Sequence, residues 1–561
     1  MADALSPLQI ARLRKGTLWN ERSSWIEQWR EISEYQQPRL GRFLVGDRNK
    51  GGKRHNAIYD NAALQASRTL AAGMMSGMTS PARPWFRLSL ADKDLLEYAP
   101  VKVWLHEAAS VMRQIFNRSN TYRALHQGYE ELGLFGTWAT LLLEDANTVI
   151  HHYPLTVGEY ALGTDSKGAV NALAREYQMT VGQMVQEFGV NKVSPTVKNL
   201  YDRHAVDQWV TVNHVIEPRK ERDPSKRDAQ NMPWKSVYFE DGGNADQGFL
   251  RDSGFEKFKV LAPRWAVTGQ DVYGSSPGQE ALGDVKQLQH QQLRKSQGID
   301  YQTNPPLVVP TSYKDSARSR LPGGVMYVDN PGGSAGVRSA FEAPLRLDFL
   351  LADIQDVRDR IRGAYYADLF MMLANDTRSG VTATEVAERH EEKMLMLGPV
   401  LERLHNELLS PKIDLTFASA LKMGALPKAP PELQGMDLDV EFISTLAQAQ
   451  RMVAAGGLDR LLGTVSSVAG IYPEASDKVN IDQAIDDYAD MFNVNPSVVR
   501  SDEAVAELRA KRAEQQATAG VGAAAGEMAQ AAKTLGDTNT EGLRDVMNQF
   551  TGYGSPSAVE V

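Results

Sequence analysis

Leu347, Leu350, Ile354, Val357, Ile361 and Ala364 recur at alternating spacings of three and four residues, which predicts a helix with one narrow apolar seam. A second seam, Leu282, Val285, Leu288 and Leu293, spans about 140° of arc at ~100° per residue, and Gln279, Gln287, Gln291, Gln292 and Lys295 fill much of the remainder. The two helices, read as 279–300 and 345–366, are fit to pack on each other or on copies of themselves, but the seams are too short for a free coiled coil. Between them, Asn304-Pro305-Pro306, Pro310, Pro322-Gly323-Gly324 and Pro331-Gly332-Gly333 punctuate the β-like runs 307–309 and 325–328, which reads as a small β-hairpin insert. Beyond the second helix, 368–380 breaks the period: Leu369-Phe370-Met371-Met372-Leu373 is fit to pack on the helix pair and Asn375-Asp376-Thr377-Arg378-Ser379-Gly380 is left as a polar tip. Thr382 then caps a long helix with Glu385 as its capping-box partner, and Pro399 inside that helix predicts a kink.

The first third reads as mostly helical to about Gly136, with Trp19, Trp25 and Trp29 near one helical face as core residues. From 140 to 263 the pattern turns strand-like: 141–143, 148–153, 159–162 and 209–215 are short apolar or β-branched runs bounded by Gly, Pro, Asn and Asp. One helix interrupts them, with Thr180 as N-cap and Gly189 past its end. The fold class is therefore α+β and mainly helical. The last residues, 517–561, turn Ala/Gly-rich and then polar, the composition of a poorly ordered tail.

At 561 residues the chain is expected to form several domains or one elongated subunit. It has no Cys, hence no disulfide and no thiolate metal site. The N-terminus lacks a basic stretch before an apolar one, and the longest apolar patch, 132–143, is short and interrupted, so neither secretion nor a membrane span is expected. A net charge of −9 argues against tight wrapping of duplex DNA, whose affinity comes from Lys and Arg on phosphate. The charge is uneven: Arg39, Arg42, Arg48, Lys50, Lys53 and Arg54 form a basic run, a candidate contact to a neighbouring subunit or partner.

Catalytic motifs fail on inspection. Gly274-Ser275-Ser276-Pro277-Gly278 has the form of a hydrolase nucleophile elbow, yet the residue that should donate its N–H to the oxyanion is Pro277. The glycines before Lys53 lack the spacing of a phosphate loop, and His390-Glu391-Glu392 has Met394 where a second metal-binding His is needed. His151 and His152 face opposite sides of a strand-like run. No catalytic residue, cofactor or metal site is expected.

Tyr273-Gly274-Ser275-Ser276-Pro277, Ala281-Leu282-Gly283-Asp284-Val285-Lys286, Thr382-Ala383-Thr384-Glu385-Val386 and Leu397-Gly398-Pro399-Val400 together resemble the portal, or head-to-tail connector, family of short-tailed bacteriophages. Residues 61–86, with Leu70-Ala71-Ala72-Gly73-Met74 and Pro84-Trp85-Phe86, are similar to the same family's N-terminal block. The resemblance runs over about 19–420 and fades beyond about 430. It implies a non-enzymatic twelve-subunit ring at one capsid vertex of the virion, assembled in the host cytoplasm with capsid and scaffolding proteins. Double-stranded DNA would be packaged through it by a terminase and ejected past a tail adaptor. It further implies a wing (1–278), stem helices (279–300 and 345–366), a clip (301–344), a tunnel loop (367–381) whose Asn375, Asp376, Thr377, Arg378 and Ser379 face DNA, a long kinked helix leading to the crown (382–430), a helical crown (431–516) and a tail (517–561). The alternatives to a portal are an internal scaffold or core protein of the capsid and a hydrolase acting through Ser276.

Overall fold

The computed structural model describes most of the chain from Leu5 to Gln516; residues 1–4, 44–51, 53, 55–57, 91, 93–94, 96–97, 227, 242–247, 312–323, 329–337, 340–346, 376–396, 434–437, 443–444, 471, 473, 475–477, 492–497, 501–503 and 517–561 lie outside the description. The chain is mixed helix and sheet. It divides into two compact units, Met1–Leu96 with Trp104–Val453, and Glu97–Val103 with Ala454–Val561.

The first unit opens with helices Pro7–Glu21 and Ser23–Tyr35. Ser6 and Gln9 form a capping box, the Gln9 N–H donating to Ser6 Oγ at 3.3 Å and the Ser6 N–H to Gln9 Oε1 at 2.8 Å. The chain turns between the helices at Arg22, a buried residue whose Nη1 donates to the carbonyls of Gly158 (2.8 Å) and Tyr160 (2.6 Å). That break corrects the expected single tryptophan face. Trp29 is fully buried with Trp25 beside it at 6.2 Å, whereas the half-buried Trp19 carries the Arg22 guanidinium on its ring at 4.0 Å.

Strand β1 is Phe86–Leu90. The strand-like region resolves into β2 (Ala139–Asp145), β3 (Val149–Leu155), β4 (Tyr160–Thr164), β5 (Val170–Thr180), β6 (Trp209–Pro218), β7 (Trp234–Glu240), β8 (Arg251–Phe255) and β9 (Val260–Leu261). β4 to β8 form an antiparallel sheet in sequence order. Side chains alternate across its faces. Ala172, Ala174, Val215, Val237 and Phe239 pack with Leu8, Ala11 and Leu18 of the first helix, while Tyr177, Val212 and Tyr238 on the other face pack with Val181, Met184 and Val197 from helices Val181–Phe188 and Pro195–Asp202. Thr180 is the expected N-cap, and with Gln183 it also forms a capping box. A smaller sheet has the order β3-β2-β9.

The first third is mostly helical, as expected, with helices Ala99–Arg118 and Thr121–Phe135 beside those named, and β1 is a strand the reading did not include. Phe86, Leu88 and Leu90 are buried in alternation with Arg87 and Ser89, and the strand pairs antiparallel with β13, Leu438–Phe442, reached far along the chain. Helix Ala62–Met78 uses its small residues for close approach: a Cβ on Gly73 would stand 2.1 Å from the Phe370 ring. Pro399 sits in the first turn of helix Gly398–Leu404, and the expected Thr382 cap and the kink ahead of Pro399 fall outside the described residues. The irregularity that is described lies further on, a π turn over His405–Leu409 before helix Ser410–Lys422. In the second unit, helices Ile481–Met491 and 504–516 are joined by the Arg509 guanidinium on Asp482 at 2.6 and 2.8 Å, and the Tyr488 hydroxyl donates to Asp459.

Candidate functional site

The two seam helices are Leu282–Thr303 and Leu347–Ala364, the first preceded by a short turn of helix, Pro277–Glu280. Val285, Leu288, Ile354, Val357 and Ile361 are buried along their contact. Arg360 pairs with Asp284 at 2.8 Å, and Gln291 donates to Asp353, so the helices run antiparallel as a shaft. At 365–366 the chain turns back with Tyr366 at φ 54°, a left-handed conformation a non-glycine residue holds at some cost. Tyr365 is fully buried there and its hydroxyl donates to Gln36, whose Nε2 donates to Gly278 O at 2.8 Å.

The footing of the shaft is polar. Asp60 Oδ2 accepts from Arg358 Nη2 (2.7 Å) and Nε (3.1 Å) and from Gln292 Nε2 (2.7 Å), while Oδ1 accepts the Ala62 N–H (2.9 Å) at the start of helix Ala62–Met78. The buried Gln289 completes it: Oε1 takes the N–H groups of Tyr59 (2.6 Å) and Asp60 (2.8 Å), and Nε2 donates to Asp60 O at 2.9 Å. One carboxylate and one amide thus join three helices through charge-assisted and backbone hydrogen bonds. The sequence reading missed both; the available signals were an Asp-Asn pair just before an apolar helical run for Asp60, and for Gln289 a polar residue inside the apolar arc of its helix.

The insert between the shaft helices differs from the expected hairpin. β10 (Leu307–Pro310) pairs parallel with β11 (Val325–Val328) and antiparallel with β12 (Arg338–Ser339), giving the order β11-β10-β12. Parallel neighbours need a crossover of about a dozen residues or more, which the 311–324 connection supplies. The segment read as a loop from 367 begins instead as helix Ala367–Asn375, because Phe370 is buried against Gly73. Asn375 ends that helix, and Asp376, Thr377, Arg378 and Ser379 lie outside the described residues.

Of the basic run, Arg48, Lys50 and Lys53 also lie outside the description; Arg39 is exposed and Arg54 half-buried. Arg42 turns inward on its own chain, pairing with Glu159 at 2.5 Å while its N–H donates to Val157 O at 2.8 Å. Gly158, at φ 94°, admits this strap: a Cβ there would lie 1.7 Å from Arg42 O. The strap and the shaft footing are separate places in the first unit.

The buried ionisable groups near these elements are structural. Ser276 is fully buried; its hydroxyl donates to Leu134 O at 2.7 Å and caps Pro277–Glu280, which occupies it outside any nucleophilic role. Burial lowers the Lys412 amine well below the usual lysine range, and its Nζ lies 4.6 Å from the Phe116 ring centre and 5.3 Å from that of Trp85. His152 is buried and His151 half-exposed, as the alternation predicts, and burial, with Lys412 and His151 adding to it, lowers His152 well below the ordinary histidine value. Among the described residues no group of three His, Cys, Asp or Glu is placed to hold a metal, and no helix is long and apolar enough to cross a membrane.

A family model described as bacteriophage head to tail connecting protein matches residues 9–499. The chain is 55% identical over 543 residues to a "probable portal protein" of Bordetella phage BPP-1, covering 96% of this chain and 98% of that one. It is 46% identical over 533 residues to the "portal protein" of Salmonella phage epsilon15, covering 95% of each.

Proposed function

The chain belongs to the bacteriophage head to tail connecting proteins, and on that premise we propose that it is a portal protein, a structural component of the virion through which double-stranded DNA is packaged and ejected. The observation that carries the reading is similarity running nearly end to end to two proteins named as portals, without large unmatched regions in which a different activity would reside.

The finer assignment is ours as well. Copies of the chain close into a ring, twelve by analogy with the family, by heterologous contacts. The shaft helices are the stem, the three-stranded insert is the clip that meets terminase and the tail adaptor, the residues before 279 are the wing, and 431–516 are the crown. The antiparallel shaft with its insert at one end and the helix Ala367–Asn375 at the other supports this order of parts. Asn375, Asp376, Thr377, Arg378 and Ser379 then face DNA, and the basic run from Arg39 to Arg54 meets a neighbouring subunit or tail protein. The chain catalyses nothing in this scheme and relies on the packaging motor.

Rotational class averages of the purified protein in negative stain test the ring; particles without a rotational axis at any concentration reject it. Deleting 375–379 should leave ring formation intact while impairing packaging or retention of the genome. Normal amounts of stably packaged DNA in that mutant would remove the tip from the channel.

A further inference from the structure

Three features meet at the π turn His405–Leu409. Its cause is local: Pro411 has no N–H for the Glu407 carbonyl, and the Ser410 N–H reaches back to His405 O instead, so one extra residue is taken into the turn. The helix beyond it is fixed, with Lys412, Ile413, Leu415, Thr416, Ser419 and Ala420 buried and Lys422 on Glu144 at 2.7 Å. Before it, only Val400 and Leu404 of Gly398–Leu404 are buried.

The third feature is a clamp on the turn itself. Arg264, almost fully buried, donates through Nη2 to Glu407 Oε1 at 2.6 Å and through its backbone N–H to Glu407 Oε2 at 2.9 Å. The same guanidinium donates to Gly168 O at 2.8 Å and Asp271 O at 3.3 Å, so its position is set by two turns of the sheet lobe rather than by the helix. A shift of the turn by one residue rotates Glu407 by ~100° about the helix axis and takes it away from this fixed partner.

We propose that the π turn is a register joint: Gly398–Leu404 rotates and advances by one residue against the anchored Ser410–Lys422, and the Arg264–Glu407 pair is the latch that holds the register seen here. The joint is a property of the single chain and stands or falls separately from the portal reading.

The absence of Cys lets spin labels be placed one pair at a time in the full-length chain. Lys167, adjoining Gly168 in the clamp, and Glu402 are both exposed, and the Lys167–Glu402 distance reads rotation of the mobile half. Lys167 with Leu421 reads the anchored half. In Glu407→Gln, and in Pro411→Ala, which restores the missing N–H without removing a buried partner, a second Lys167–Glu402 distance should gain population. A label ~5 Å off the axis moves by up to about 8 Å on such a turn, while the Lys167–Leu421 distance stays constant. In the unaltered protein, amides 405–410 should exchange at least about tenfold faster than 413–422. One unchanged Lys167–Glu402 distance in both variants overturns the proposal. So does equal protection of the two amide segments in the unaltered chain, a measurement that does not depend on either variant folding.

Discussion

The side chains of Asp60, at the foot of the shaft, and Glu131, under the β3–β4 turn, are both buried in the first unit, and their surroundings are opposite. The Asp60 carboxylate meets a guanidinium, one side-chain amide and a helix-start N–H. Glu131 receives the Val157 N–H at 3.3 Å, and its charged neighbour is Glu159, of like sign. Burial above all, with Glu159 adding to it, pushes the Glu131 carboxyl up to about 8. A carboxylate buried with its partners joins elements; one buried without a cation keeps its proton and makes its region sensitive to base.

The largest effect that tests this contrast is expected at Asp60. Asp60→Ala leaves the Arg358 guanidinium, the Gln292 amide and the Ala62 N–H without their acceptor, and should lower stability by about 2–4 kcal/mol, read from urea denaturation. Asp60→Asn, which can keep the Ala62 bond, should lose less. A loss below ~1 kcal/mol in Asp60→Ala, the scale of an exposed ion pair, would mean that the apolar seam alone positions the shaft.

At Glu131 the expected signature is a dependence on pH. The folded value lies above the ordinary glutamate value, so the folded chain holds the extra proton, and its contribution to stability is full below about pH 4.5 and is lost as pH rises through about 8. Between pH 6 and 8 this group alone should remove about 2 kcal/mol, at a slope of up to ~1.4 kcal/mol per unit. Glu131→Gln should flatten the profile over that range. Parallel curves for the two proteins would show that Glu131 does not hold its proton to that pH.

Legibility in the sequence divides along the same line. Val285, Leu288, Ile354, Val357 and Ile361 are buried along the seams their spacing predicts, since burial of a helix stripe depends on residues a turn apart. The N-cap at Thr180 was legible for the same local reason. Gln289 falls inside the apolar arc of its helix at ~100° per residue, so its burial was legible, but its role was not, because only the arrival of Tyr59 and Asp60 makes it a bridge. Strand β1 is short and its partner β13 lies on the far side of the whole lobe in sequence, a pairing that no local pattern encodes. The insert's two apolar runs were visible, but such runs read alike whether paired parallel or antiparallel. Pro399, which the sequence singled out, sits in a first turn of helix, whereas Pro411, which it did not, has a helical residue before it and sets the π turn. The polar tip Asp376–Ser379 lies outside the described residues.

The smallest effect is expected at Arg42, and it separates a chain's internal ties from its outward ones. The Arg42–Glu159 pair is close, at 2.5 Å, but the arginine side chain is 43% exposed, so solvent screens the charge and the pair should contribute only about 0.2–1 kcal/mol. The strap keeps its backbone bond from Arg42 N–H to Val157 O, and Gly41 N–H to Thr156 Oγ1 at 2.9 Å, without that side chain. Arg42→Ala should therefore shift the urea midpoint far less than Asp60→Ala. Reversing Arg48 and Lys50 to Glu should, if the basic run meets an acidic neighbour, weaken assembly more at low salt than at high. A stability loss in Arg42→Ala equal to that of Asp60→Ala would erase the contrast between an exposed tie and a buried one, and would place the strap among the elements that hold the first unit together.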